Sequence, residues 1–312
     1  MRPWKVPEAL WAMLGAGALV LFSLLSPADA WAAVVKGTDV YLFLIGMMLL
    51  AELARHEGLF EWLAAHAVVR AAGSPRRLFF LVYMVGTIVT VFLSNDATAV
   101  VLTPAVYAAA KQARAKPLPY LFVCAFVANA ASFVLPISNP ANLVIYGSRM
   151  PALPDWLLQF GLVSVVSIVA TYILLRWTQR SALSGSISRD IKPPPLAAGG
   201  RQAAYGIAAT GVILLIASSL EQPLGLPTFL AGAVTSLIIC TRTRTSPWPV
   251  LKDISWSVLP LVGGLFVLVS GVENTGILEP LGGLLLAGAQ SSPHMTAFAA
   301  GSVAAIACNV MN

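Results

Sequence analysis

Apolar stretches of fifteen residues or more recur along almost the whole chain, at residues 7–25, 39–54, 118–148, 156–175, 203–219, 227–241 and 254–271, separated by short runs of Pro, Gly and charge. A helix needs about 20 apolar residues to cross a hydrocarbon layer of ~30 Å, and inside that layer every backbone N–H and C=O must be paired within the protein. The composition agrees: 58% of the 312 residues are hydrophobic and 10% are charged, against roughly 25% charged in a soluble domain. The fold class expected is an all-α polytopic membrane protein.

The formal charge of +6 does not point to nucleic acid, because no basic run is interleaved with aromatics and the charges fall in short interhelical loops. They read as a topology signal. Cys124, Cys240 and Cys308 each lie inside an apolar segment with no CxxC pair, which implies neither disulfides nor a metal site. The N-terminus has a basic start and an "ADA" that resembles a cleavage site, but its apolar core of about 17 residues exceeds that of a signal peptide. It is therefore taken as a first transmembrane helix, and the chain after it begins on the outer side.

Residues 57–71, with Glu61, His66 and Arg70, read as an interfacial amphipathic helix. Residues 76–111 are two apolar arms folded at Ser94-Asn95-Asp96. Placing Arg2 and Lys5 in the cytoplasm puts 17 of the 19 basic residues there and leaves only Lys36 and Arg149 outside, as the positive-inside rule requires. The count holds only if both arms of 76–111 begin and end on one side, so they form a hairpin, re-entrant or spanning. The expected location is the inner (cytoplasmic) membrane, multi-pass, with a cytoplasmic N-terminus.

Residues 180–202, rich in Pro, Gly and Ser, read as a cytoplasmic linker. The expected organisation is a first repeat (1–176), a linker with a connecting span (177–226), and a second repeat (227–312). The repeat shows as Gly58, Glu61, Leu63 and Pro75 falling on Gly276, Glu279, Leu281 and Pro293 at an offset of 218. The charge count runs 39–54 inward and 254–271 outward, so the repeats are inverted, as in many secondary transporters. Deleting one residue puts Asn95 on Asn312. The second repeat is thus expected to stop at its own hairpin tip, about 80 residues short by repeat symmetry, and the 312 residues alone are expected not to transport.

Two interruptions carry chemistry: the tip "LSNDAT" (93–98) and "FVLPISNPANLVIYG" (133–147), where Pro136 and Pro140 break a span. Unwound backbone is tolerated in a membrane only if it is buried in protein or lines a wet cavity, so the two breaks are expected to share one site. Its candidate binding groups are Ser94, Asn95, Asp96, Thr98, Ser138, Asn139 and Asn142. Asn129 reads rather as a helix-to-helix hydrogen bond, and Glu52, beside Arg55 and His56, as interfacial. Asp96 is the one ionisable group, and desolvation would bring its titration toward physiological pH and make it a proton carrier; its other reading is a helix N-cap. No cofactor or metal is expected, the energy source being a proton gradient.

The motifs "FLSNDATAVVLTPAV" and "LPISNPANLVIYG", with the closing "CNVMN", resemble the arsenite efflux permease family (ArsB-type) of the ion transporter superfamily. The resemblance implies an inverted-repeat fold with two hairpins and broken helices, a site between hairpin tips and breaks, and efflux of arsenite or antimonite in exchange for protons. It also implies that some members associate with a soluble ATPase. By position it assigns Ser94, Asn95 and Asp96 to the first tip, Ser138, Asn139, Pro140, Ala141 and Asn142 to the broken helix, and Met311 and Asn312 to the second tip. Arsenite near neutral pH is an uncharged trihydroxide that amides and open backbone would bind; the cysteines, on distant helices, are not expected to form the site. A sodium/proton antiporter, or a carrier of another small solute on the same fold, is the nearest alternative. An intramembrane enzyme is weaker, since no second carboxylate or Ser/His pair accompanies Asp96.

Overall fold

The computed structural model describes residues 7–146, 150–188 and 195–310, which hold fifteen α-helices and no strand. The chain divides into two compact units, Asp39–Ser255 and Met1–Thr38 with Trp256–Asn312.

The larger unit contains α3 (Thr38–His56), α4 (Leu59–Ala71), α5 (Pro75–Phe92), α6 (Thr103–Gln112), α7 (Leu118–Ala130), α8 (Pro140–Tyr146), α9 (Leu153–Thr178), α10 (Ala198–Ser219), α11 (Gly225–Thr243) and α12 (Trp248–Asp253). Of these, α5, α9, α10 and α11 are long and apolar enough to cross a membrane. On α9, Leu158 is 82% and Leu162 75% exposed, a surface that hydrocarbon covers at no cost and water does not. Helices here approach through small residues. A Cβ on Gly46 of α3 would lie 2.5 Å from the Thr228 carbonyl oxygen of α11, and one on Gly232 would lie 2.8 Å from the Gly46 oxygen, so the two backbones touch.

The hairpin starts at Ser74, whose hydroxyl accepts from the Arg77 N–H ahead of Pro75, a helix start with both usual signals. After α5 the chain turns through Leu93–Asp96, continues as one π-helical stretch, Ala97–Leu102, and passes into α6. The widened turn has a cause: Pro104 has no N–H to offer the carbonyl four residues back. The amides of Ile187 and Ser188 donate to the Gly73 and Ala113 carbonyls at 3.0 and 2.9 Å. One stretch of the linker thus holds both roots of the hairpin on the same face. Between α3 and the hairpin, α4 is 13 residues, about 20 Å at 1.5 Å per residue, too short to span. It buries Leu59, Phe60, Ala64 and Val68 against the hairpin arms.

The second interruption opens earlier than the prolines alone suggest. α7 ends at Ala130, the chain unwinds, Pro136–Ser138 form a single 3₁₀ turn, and α8 resumes at Pro140 for seven residues.

The smaller unit holds α1 (Glu8–Leu21), α2 (Pro27–Lys36), α13 (Val258–Asn274), α14 (Leu278–Ser291) and α15 (Pro293–Val310). The first candidate span, 7–25, is shorter than expected: α1 has 14 residues, and the separate α2 follows. Ser26 accepts from the Asp29 N–H with Pro27 at the first helical position, a start signal hidden inside an apolar-looking run. α1 packs along α13, where a Cβ on Gly264 would meet Ala12 at 2.9 Å. The helix boundaries of the two units recur at the offset of 218: α3 ends at His56 and α13 at Asn274, and α5 and α15 start at Pro75 and Pro293. Gly58 and Gly276, also 218 apart, take φ of 72° and 69°, the left-handed conformation glycine tolerates.

Candidate functional site

The two interruptions lie against each other in the larger unit. Ser138, fully buried, donates its Oγ–H to the Val91 carbonyl of α5 at 3.1 Å and accepts from the Leu135 N–H at 3.1 Å. One hydroxyl therefore ties the 3₁₀ turn of the broken helix to the last turn before the hairpin tip.

At the tip, Ser94 is buried and turns the chain at a φ of 155°, a region sparsely populated by residues with a Cβ and found where the surroundings hold the backbone in place. Its Oγ accepts from the Ala97 N–H at 3.3 Å, while the Asn95 side-chain oxygen accepts from the Asp96 N–H at 2.9 Å. Ser94, then, caps the returning arm. Asp96 makes no side-chain cap bond, and it is exposed at the tip, with Asn95 half-buried. The Asp96 carboxylate accepts no hydrogen bond from the described residues.

Thr98 takes a different position from the one expected. It is fully buried and shares a 2.8 Å hydrogen bond with Thr90 of α5, so it joins the two arms inside the hairpin instead of facing the tip. Thr90 itself donates to the Gly86 carbonyl.

In the broken helix, Asn139 accepts from the Ala141 N–H at 2.9 Å through its side-chain oxygen, which is turn chemistry at the start of α8. Asn142 is fully buried and its Nδ2 donates to the freed carbonyls of Ser132 at 3.1 Å and Pro136 at 3.2 Å. Its Oδ1 has no partner among the described residues. A buried amide oxygen without a donor costs about 1–3 kcal/mol. Asn129 is exposed and donates to the Ala125 carbonyl one turn back; among the described residues it forms no helix-to-helix bond. Met311 and Asn312 lie outside the described residues.

Two contributors were not singled out from the sequence. Trp156 of α9, fully buried, donates its indole N–H to the Phe133 carbonyl at 3.0 Å, closing another group that the unwinding of α7 sets free. Tyr83 of α5 donates to the Ile168 carbonyl of α9 at 2.7 Å. The available signal was weak: single aromatic residues with a polar end in apolar helices, which find a partner when buried. No Lys or Arg side chain takes part in the hydrogen bonds of either break among the described residues. Cys124 is buried on α7 and Cys240 half-buried on α11, both free.

Away from the breaks, Arg55 at the end of α3 donates to Glu52 at 2.6 Å and to Asp253 of α12 at 2.5 Å, and His56 lies 3.1 Å from Asp253. Glu52 is buried and ion-paired with Arg55, so it lacks the ordinary solvation expected of it at an interface. The Arg55 guanidinium holds the Asp253 carboxyl below the usual carboxylate range.

A family model described as a citrate transporter, CitMHS, matches residues 2–312. The arsenical pump membrane protein of Escherichia coli strain K12 is 26% identical over 315 residues, covering 96% of this chain and 72% of that protein. An uncharacterized transporter of Mycobacterium tuberculosis is 26% identical over 251 residues, 78% of this chain and 58% of its own length. One from Synechocystis is 23% identical, covering 90% of this chain and 64% of its own.

Proposed function

Since the chain belongs to the citrate transporter family, CitMHS, and is a polytopic membrane protein of secondary-transporter type, we propose that it serves the export of arsenite or antimonite in exchange for protons. The observation that carries the reading is Asn142: a fully buried amide oxygen without a donor among the described residues, set among unwound backbone. The hydroxyls of an uncharged trihydroxide are donors of the kind that this oxygen lacks among the described residues, and no countercharge is needed to hold such a cargo. The likeness to arsenical pump membrane proteins supports the cargo, and the absence of cations from the breaks among the described residues argues against a citrate trianion.

In this mechanism Ser94, Asn95 and Asp96 of the tip and Ser138, Asn139 and Asn142 of the broken helix form one wall of the site. Ser94 and Ser138 hold backbone in place, and Asn142 and Asp96 face the cargo. Asp96 takes a proton from the outer side when the site opens there and releases it to the cytoplasm after cargo has left, so that one exit is coupled to at least one proton entering. The protein works in the inner membrane with its N-terminus in the cytoplasm, and a soluble ATPase is a candidate partner there.

The test is proton flux in proteoliposomes containing the protein expressed from its complete reading frame, on adding arsenite, antimonite, sodium or citrate. Flux with arsenite or antimonite supports the reading. Flux with sodium alone assigns a sodium/proton antiporter, and flux with citrate alone a carboxylate carrier; either overturns it.

A further inference from the structure

A crevice of about 350 Å³ opens between the first turns of α4, the last turns of α5 and the first turns of α10. Its walls are Leu59, Leu63, Ile88, Phe92 and Ile207, with Trp62, Arg201 and Tyr205 at its polar edge. Ile88 is 55% and Tyr205 73% exposed, so the crevice is open along one side. Arg201 is exposed and makes no side-chain hydrogen bond or ion pair among the described residues. Glu57 lies against Gly199 on the preceding turn, and no carboxylate is among the residues that line the crevice.

We propose that this crevice binds one anionic phospholipid, its phosphate on Arg201 and an acyl chain along α5 toward Phe92. Three observations select this occupant over a protein segment. The lining is almost wholly apolar and belongs to a membrane-spanning unit, where hydrocarbon is the surrounding medium. The one charge at the rim is a guanidinium, whose fork matches a phosphate bidentately. Trp62 and Tyr205 provide the amphipathic aromatic edge that sits at headgroup level. The positive-inside count places this end of α10 in the cytoplasmic leaflet, where the anionic surface attracts basic side chains. Because the crevice also reaches Leu93, where the tip begins, a lipid seated there contacts the hairpin. The site is independent of the cargo.

The test uses phosphatidylglycerol carrying a photoreactive group in its tail, with the protein in nanodiscs and the adducts mapped by peptide mass spectrometry. Adducts in 59–63, 88–93 and 201–207 are expected, and Arg201→Gln should lower their yield by about tenfold, the worth of one charge-assisted bond. Ala204→Phe, which fills the crevice while keeping the charge, should lower it as well. Adducts elsewhere on the protein should be unchanged in both variants and report that they fold. Equal labelling by the phosphatidylcholine analogue, or yields unaffected by both substitutions, would overturn the proposal. So would full competition by free glycerol phosphate, which would identify an anion site without a lipid.

Discussion

Ser138→Ala is the substitution for which the structure makes the sharpest forecast. It removes one oxygen that serves two buried backbone groups, the Val91 carbonyl at 3.1 Å and the Leu135 N–H at 3.1 Å, and it adds no atoms. Interhelical hydrogen bonds in membranes average roughly 0.6 kcal/mol and reach about 1.7, whereas a buried group left without a partner loses about 1–3 kcal/mol. With one bond spanning two elements and one closing a turn, the loss should be about 1–3 kcal/mol, a factor of roughly 5–150 in the unfolding equilibrium. Reversible denaturation in mixed detergent micelles measures it. Ser219→Ala is the control, because its hydroxyl is exposed and bonds only one turn back, to the Leu215 carbonyl; it should stay within about 0.5 kcal/mol. A Ser138→Ala effect no larger than the control would refute the view that this hydroxyl fastens the broken helix to the hairpin.

Asp96→Asn should change stability by less than about 0.5 kcal/mol, since Ser94 and not Asp96 caps the following turn. It should nonetheless abolish or uncouple proton exchange in the vesicle assay, and full pH-dependent exchange by the variant would sink its role as the carrier. Gly46→Ala drives a methyl to 2.5 Å from the Thr228 oxygen and should destabilise by about 1–3 kcal/mol. Gly17→Ala meets no atom within 4 Å and should be neutral or slightly stabilising, given alanine's advantage of about 1 kcal/mol in helices; thermal unfolding separates the two. For Asp253 the folded carboxyl titrates below its unfolded value of about 3.9. Its contribution is therefore complete above that value and lost only as pH falls through the lower folded one. Amide exchange in 248–253, normalised for intrinsic rates, should be alike at pH 7 and pH 5 and faster at both in Asp253→Asn. Equal exchange in the variant would count against the Arg55–Asp253 tie.

Much of the architecture is legible in the sequence because a membrane leaves few choices. Without water, apolar length dictates helices, and the distribution of Lys and Arg required residues 76–111 to return to their starting face, which the bonds from Ile187 and Ser188 to Gly73 and Ala113 make physical. Pro136 and Pro140 announced an interruption by their chemistry. α2 was missed because the first span was ended at residue 25 and the "ADA" after the Ser-Pro start signal was weighed as a cleavage site, not as the first turn of a helix.

Side-chain roles at the breaks were legible only as a set of residue types. Sequence could name Ser94, Asp96, Thr98, Ser138, Asn139 and Asn142, but hydroxyls and amides satisfy either backbone or solute equally well, and only packing decides which. Tertiary structure gave Ser94 the cap that Asp96 was free to take, turned Thr98 inward to Thr90, and used Asn139 on its own turn. It left the Asn142 oxygen buried and without a partner among the described residues. Sequence alone determined that the chain spans a membrane, that it folds back at Ser94-Asn95-Asp96 and that a helix breaks at two prolines, because these follow from local sterics and solvation. Which polar groups are used up in holding the fold follows from hydrogen bonds between residues such as Ser138 and Val91, 47 positions apart, and only the packed chain brings those together.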